Sequence, residues 1–176
     1  SPATFPGGIE RTLTIGGWSK IWAMTGWRVG WVVTPLEQAE HWAIMSECFN
    51  TGATVFAQHA CIAALEQGEA TVQALKAQYE EGSRLVIEAF KNNSRIELAP
   101  PKGAFYAFPR IKGLQSSLDF ATKLLAEEDV GVAPGYTFGN GNEQNIRLCF
   151  AQSHERLQEG LDRIVRFVDR YDNEIL

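Results

Sequence analysis

The stretch Ile15-Gly-Gly-Trp-Ser-Lys-Ile-Trp-Ala-Met-Thr-Gly-Trp-Arg-Val-Gly-Trp31 decides how the chain is read. Between Arg11 and Glu37 the only formal charges are Lys20 and Arg28. Four of the five tryptophans lie here: Trp18, Trp22, Trp27 and Trp31. Desolvating a cation is costly unless an anion or a chemical task compensates. No local carboxylate is available. Either both side chains reach out to water, or they meet an anion that the chain does not itself supply.

Outward from this stretch, β-prone Arg11–Ile15 predicts a strand, ended by Gly16-Gly17. Trp27–Val33 predicts a second strand, apolar enough to be buried on both faces. Lys20 then falls just past a strand end, and Arg28 on the following strand. Pro35 opens a helix over Leu36 to about Cys48. A short helix over Phe56 to Gln67 and a long one from Glu69 to about Asn92 follow, the latter with Val72, Leu75, Tyr79, Val86 and Phe90 at helical spacing.

Beyond Arg95 the pattern becomes α+β. Ile96–Leu98, Ala104–Phe108, Val130–Ala133 and Asn145–Phe150 read as strands. Ser116 and Ser117 cap a helix over Leu118 to Glu127, and Ser153 caps a final amphipathic helix. Gly135, Gly139 and Gly141 mark an irregular loop, without the spacing of a phosphate-cradling glycine motif.

Composition bounds the function. The 176 residues are 45% hydrophobic and 21% charged, enough for one or two globular domains with a core. A net charge of -5 without a basic run excludes nucleic acid and anionic membranes as general partners. No apolar run is long enough to span a bilayer. Cys48, Cys61 and Cys149 are odd in number and widely spaced, which fits a reducing, cytoplasmic setting and buried small side chains. His41, His59 and His154 show no metal-ligand spacing with each other or with the cysteines and read as ordinary helix residues. The chain starts without Met and reads as a piece of something longer.

Three cations could carry chemistry. Lys20, in an apolar and cation-flanked setting, could offer a free amine to a carbonyl, or be a surface charge. Arg28 could bind phosphate through its planar fork, with the Ser19 hydroxyl beside it, or be structural. In Ile146-Arg147-Leu148-Cys149-Phe150 the even positions face one way, so Arg147 shares the other face with Cys149. It could be a solvent-facing arginine or a carboxylate clamp. The Phe105, Tyr106 and Phe108 cluster, with Trp18, Trp22 and Tyr136, reads as core packing rather than as a ligand surface.

Gly17-Trp-Ser-Lys-Ile-Trp-Ala-Met-Thr-Gly-Trp-Arg-Val-Gly30 resembles the pyridoxal-phosphate attachment signature of the class I/II aminotransferases. Pro101–Pro109 resembles the small-domain strand of that family. Val132-Ala-Pro-Gly135, Phe138-Gly139 and Ile146–Ala151 resemble its closing segments. The resemblance implies an α/β fold, with residues 1–85 the C-terminal part of the large cofactor domain. Residues 86–176 would be the small C-terminal α/β (α+β) domain of an aspartate-aminotransferase-like fold.

It also implies roles. Lys20 would form the Schiff base with pyridoxal 5'-phosphate and then move the substrate proton. Arg28 and Ser19 would hold the cofactor phosphate, and Arg147 the substrate carboxylate. Thr51 falls near where relatives reach the phosphate in the neighbouring subunit of a homodimer. Where the family often has Ser, this chain has Gly17. The substrates would be an α-amino acid and a 2-oxo acid. The ring-stacking aromatic, the Asp at the pyridinium nitrogen and the Asn and Tyr at the ring oxygen would lie upstream, leaving the isolated chain inactive. A β-lyase or synthase of the same fold shares the lysine and both arginines, and a non-catalytic binding or dimerisation domain could retain them.

Overall fold

The computed structural model describes residues 1–171. Contacts divide it into two compact units, Ser1–Ala74 and a second from Leu75 onward. Helix α4, Glu69–Phe90, contains the seam.

In the first unit, strands β1 (Thr14–Gly17) and β2 (Gly30–Val33) pair as an antiparallel two-stranded ribbon. Helix α1 (Trp18–Ile21) follows β1 directly, and a 3-10 turn, Thr25–Trp27, precedes β2. Helices α2 (Ala39–Asn50) and α3 (Val55–Gln67) complete the unit with the first turns of α4.

The first expected strand is displaced toward the C-terminus. Ile9–Arg11 is a 3-10 turn, and Gly16 and Gly17 lie inside β1 rather than ending it. The reason lies across the ribbon. Gly16 pairs with Trp31, and a Cβ on Gly16 would sit 2.2 Å from the Trp31 ring. Only glycine lets that indole lie flat on the neighbouring strand.

The second expected strand is shorter. Arg28 is not on it: at φ 55° and ψ 45° it occupies the left-handed region that ends the 3-10 turn. Nor is β2 buried on both faces, for all four of its residues are exposed. A ribbon of two strands has no third strand at either edge and cannot cover its own faces. The helix expected from Leu36 starts as a 3-10 turn, Leu36–Gln38, and becomes α-helical at Ala39.

Among the described residues of this unit, Met24, Ala57 and Cys61 are the buried apolar side chains. Large ones stand in solvent instead, including Ile15 at 77%, Leu36 at 90%, Phe49 at 80% and Phe56 at 70% exposure. Unpaired strand edges and contiguous apolar surface favour association. The chain is therefore expected to self-associate, and light scattering should return masses above the monomer at micromolar concentrations. A monomer mass at every practical concentration would reject this.

The second unit holds the core. Val86 and Phe90 on α4 pack with Phe120 and Leu124 on α5 (Ser117–Glu128) and with Leu161, Ile164, Phe167 and Val168 on α6 (His154–Arg170). Periodicity predicts an α6 stripe of Leu157, Leu161, Ile164, Val165 and Val168; all are buried except Val165, which is half-buried, and Phe167 joins them. Both helices are capped as expected. Ser116 Oγ accepts from Asp119 N at 3.2 Å, and Ser153 Oγ from Arg156 N at 3.5 Å. Such caps satisfy helix N–H groups that have no partner in the helix, each contributing about 1 kcal/mol.

The strands of this unit are short. β3 (Ile96–Glu97) pairs with β5 (Arg110–Ile111), a strand not expected from the sequence. β4 (Tyr106–Ala107), β7 (Ile146–Cys149) and β6 (Ala133–Pro134) form a three-stranded antiparallel sheet in the order β4-β7-β6. β6 begins three residues later than expected. Asp129 closes α5 in the left-handed region, and Val130–Val132 carry the chain back before Ala133 can pair with Arg147.

At the end of α5, the buried Glu128 accepts from Arg166 and Arg170, both at 2.6 Å. Arg163 donates to the Glu128 carbonyl at 2.6 Å. The Arg166 hydrogen bond, joined by that of Arg170, holds the Glu128 carboxyl below the usual carboxylate range. The cysteines depart from expectation: Cys61 is buried, but Cys48 and Cys149 are exposed. Cys48 sits on the solvent side of α2, and Cys149 on the outer face of β7.

Candidate active site

Gly17 pairs with Gly30 in register, so residues 18–29 leave and re-enter the ribbon at one end. That link carries Ser19, Lys20 and Arg28 together. α1 starts at once after β1, with Trp18–Trp22 ring stacking at 6.2 Å on one side of its turn. Lys20 is exposed in the last turn of α1 rather than enclosed in an apolar pocket.

Arg28 is also exposed. Its Nη1 donates to Thr25 O at 3.0 Å, and Thr25 Oγ1 donates to Ser19 O at 2.9 Å. A short relay thus ties the arginine to the backbone of the serine that precedes Lys20. The half-buried Trp18 has its indole N–H buried without a hydrogen-bond partner among the described residues. Trp27 packs on Phe56 of α3 at 6.3 Å, which fixes the turn before Arg28. Thr51, in the left-handed region, ends α2 with its N–H on Glu47 O at 3.0 Å.

Arg147 belongs to the second unit. Along β7 the alternation holds: Ile146, Leu148 and Phe150 are buried, Arg147 is half-buried and Cys149 exposed. The Arg147 Cζ lies 4.5 Å from the Tyr106 ring centroid and 4.4 Å from that of Phe138. Tyr106 stacks in turn on Phe105 at 4.6 Å, and Phe138 meets Phe108 edge-on at 5.7 Å. The aromatics read as core are therefore only partly so: Phe108 and Tyr136 are exposed, while Tyr106 is half-buried beneath a cation.

Sequence reasoning missed Tyr106 and Phe138 as neighbours of Arg147. The signal was present for Tyr106, an aromatic on an alternating strand. Phe138 lies in a glycine-rich turn whose path the sequence does not encode by periodicity. The Ser117–Glu143 contact was missed as well: Ser117 Oγ donates to Glu143 Oε2 at 3.2 Å and accepts from Tyr136 N at 3.1 Å, anchoring that turn.

The family model "Aminotransferase class I and II" matches residues 3–164. The chain belongs to the class I and II aminotransferase family. As an aminotransferase-family chain it is 39% identical, over 97% of its length, to the protein YugH of Bacillus subtilis (strain 168), of which it covers 44%. It is 38% identical over 93% of its length to the aspartate aminotransferase of Pyrococcus abyssi, covering 43% of that protein. The crystal structure of an aromatic aminotransferase from Pyrococcus horikoshii OT3 superposes with a TM-score of 0.89 at 34% identity, over 96% of this chain and 46% of that one. The architecture is thus that of the aspartate-aminotransferase-like fold. The chain spans less than half the length of the relatives it matches.

Family membership implies pyridoxal 5'-phosphate. The donor set of the β1–β2 link suits it: a primary amine for the aldehyde, and a hydroxyl and a guanidinium for the phosphate. The sequence between Glu10 and Glu37 contains no carboxylate side chain. No cluster of His, Cys, Asp or Glu among the described residues could hold a metal ion. No described helix is long and apolar enough to cross a membrane.

Proposed function

We propose that this chain is the C-terminal part of a pyridoxal-phosphate-dependent aminotransferase that moves an amino group between an α-amino acid and a 2-oxo acid. The observation that carries the reading is the pairing of Gly17 with Gly30, which gathers Ser19, Lys20 and Arg28 in one link free of carboxylates. The names of relatives, aspartate and aromatic aminotransferases, support the same class.

When bound, the cofactor supplies a conjugated ring that withdraws electrons from the substrate α-carbon. The chain's own residues do the rest. Lys20 Nζ, a primary amine, would hold the cofactor through its aldehyde and serve as the proton carrier at the substrate α-carbon. The Arg28 guanidinium and the Ser19 hydroxyl would hold the cofactor phosphate. Arg147 orients the substrate through its carboxylate. Residues 1–85 correspond to the large cofactor domain and 86–176 to the small one. The full-length protein acts as a cytoplasmic homodimer, with Thr51 directed to the partner's phosphate site. The isolated chain does not turn over.

Incubation with pyridoxal phosphate, reduction with borohydride and mapping of the modified lysine by mass should place the label on Lys20. Labelling at another lysine would count against the assignment. Arg28→Ala should weaken cofactor binding roughly 10-fold or more, the scale of a lost charge-assisted contact. Unchanged affinity would remove Arg28 from the phosphate role.

A further inference from the structure

We propose that Tyr106 and Phe138 are positioning residues that hold the Arg147 guanidinium for a carboxylate ligand. This rests on the reading of Arg147 as a carboxylate-binding group. Three observations carry it. Both ring centroids lie within 4.5 Å of Arg147 Cζ. They come from opposite flanks of β7: Tyr106 is on β4, and Phe138 follows β6, on the other side in the order β4-β7-β6. Third, Arg147 has no carboxylate partner and no hydrogen-bond acceptor among the described residues, although it is half-buried.

Arg166 and Arg170 show the contrast. Each is ion-paired with Glu128, and Arg170 with Glu127 as well, and so is committed to the fold. Arg147 has its charge contacted by ring faces alone, and ring faces attract a guanidinium without using its N–H groups. The five donors stay in the plane of the fork, which is the edge a carboxylate meets bidentately. Each ring has a further aromatic side chain against it. Tyr106 is backed by Phe105 at 4.6 Å, itself against Tyr79 at 5.4 Å. Phe138 is backed by the edge of Phe108. The ligand class is a monocarboxylate or the carboxylate end of a 2-oxo or amino acid, and the rings set how well the fork is aimed rather than making contact themselves.

The test uses the whole chain labelled with 15N at arginine, with the Arg147 Nε–Hε resonance assigned by its loss in Arg147→Ala. Pyruvate is the probe. In the native chain the Arg147 resonance should lie upfield, in the ring currents, and shift saturably with pyruvate. Tyr106→Leu and Phe138→Leu should each move it downfield without ligand and weaken pyruvate roughly fivefold to tenfold, the range for a partly desolvated cation–ring contact. Tyr106→Phe keeps the ring and should bind pyruvate within about twofold of the native chain, a rescue that separates aiming from mere folding. No pyruvate shift in the native chain would overturn the carboxylate role of Arg147 and the proposal with it. A native response retained in both Leu variants would overturn the positioning role while leaving Arg147 as the carboxylate site.

Discussion

Phe120→Ala should destabilise the second unit by about 3–5 kcal/mol, the usual range for emptying a buried Phe site. Phe120 is fully buried in the first turn of α5. Its ring meets Phe167 at 5.1 Å and Tyr171 at 5.0 Å, both edge-on, the arrangement that aromatic quadrupoles favour. Tyr171 is held there from its other end, donating to Asp119 Oδ2 at 2.6 Å. Burial, with that hydrogen bond, pushes the Tyr171 hydroxyl well above its ordinary value. The cavity is therefore bounded by two helices and by a tyrosine fixed at its hydroxyl, and cannot collapse cheaply. Domains of this size have only about 5–15 kcal/mol in hand, so one such loss removes much of the unit's stability. All four tyrosines, Tyr79, Tyr106, Tyr136 and Tyr171, lie in the second unit, and all five tryptophans in the first. Urea unfolding followed by tyrosine near-UV dichroism reads the second unit directly. Phe120→Leu, which keeps most of the volume, should cost less than about 1.5 kcal/mol. A loss below about 1 kcal/mol for Phe120→Ala would show that the ring is not a structural centre.

The second unit was legible because its signals are local and redundant. Ser116 and Ser153 announce helix starts, and Leu157, Leu161, Ile164 and Val168 recur at helical spacing on a strongly two-sided helix. Alternation along Ile146–Phe150 gave the correct facing of Arg147. β5 was not legible, because two residues carry no period. The first unit was misread where sequence supplies composition but not neighbours. An apolar run such as Trp31–Val33 says that a strand seeks cover and does not say whether the chain provides it. Glycines 16 and 17 looked like a stop because their role depends on the facing strand: Gly16 lies under the Trp31 ring, and Gly17 against the Val29–Gly30 backbone.

The candidate site divides in the same way. Lys20, Ser19 and Arg28 stood out through a local imbalance of charge, and the ribbon register puts them in one link. Their exposure could not be read, since burial depends on what packs over the link. Arg28 illustrates the limit: a residue in the left-handed region, bonded to Thr25 O, was expected within a strand. The rings around Arg147 come from positions 106 and 138, brought to one residue by the strand order β4-β7-β6, and no spacing rule anticipates that convergence.

Gly135→Ala should link that convergence to stability. Gly135 is buried at the start of the 3-10 turn Gly135–Phe138, and its N–H donates to Asn145 O at 2.9 Å. A Cβ there would lie 2.3 Å from the backbone oxygens of both Asn142 and Asn145. These are main-chain atoms of a paired segment, so the turn must move rather than a flexible side chain. Movement would lengthen the bond from Tyr136 N to Ser117 Oγ and carry Phe138 away from Arg147. Overpacking of this kind costs about 1–3 kcal/mol, and the lost hydrogen bond adds to it. The expected result is a lower urea midpoint, a downfield Arg147 Nε–Hε resonance, and pyruvate binding weakened as in Phe138→Leu. A Gly135→Ala chain with native stability and an unshifted Arg147 resonance would show that the turn tolerates the methyl group and does not hold the ring in place.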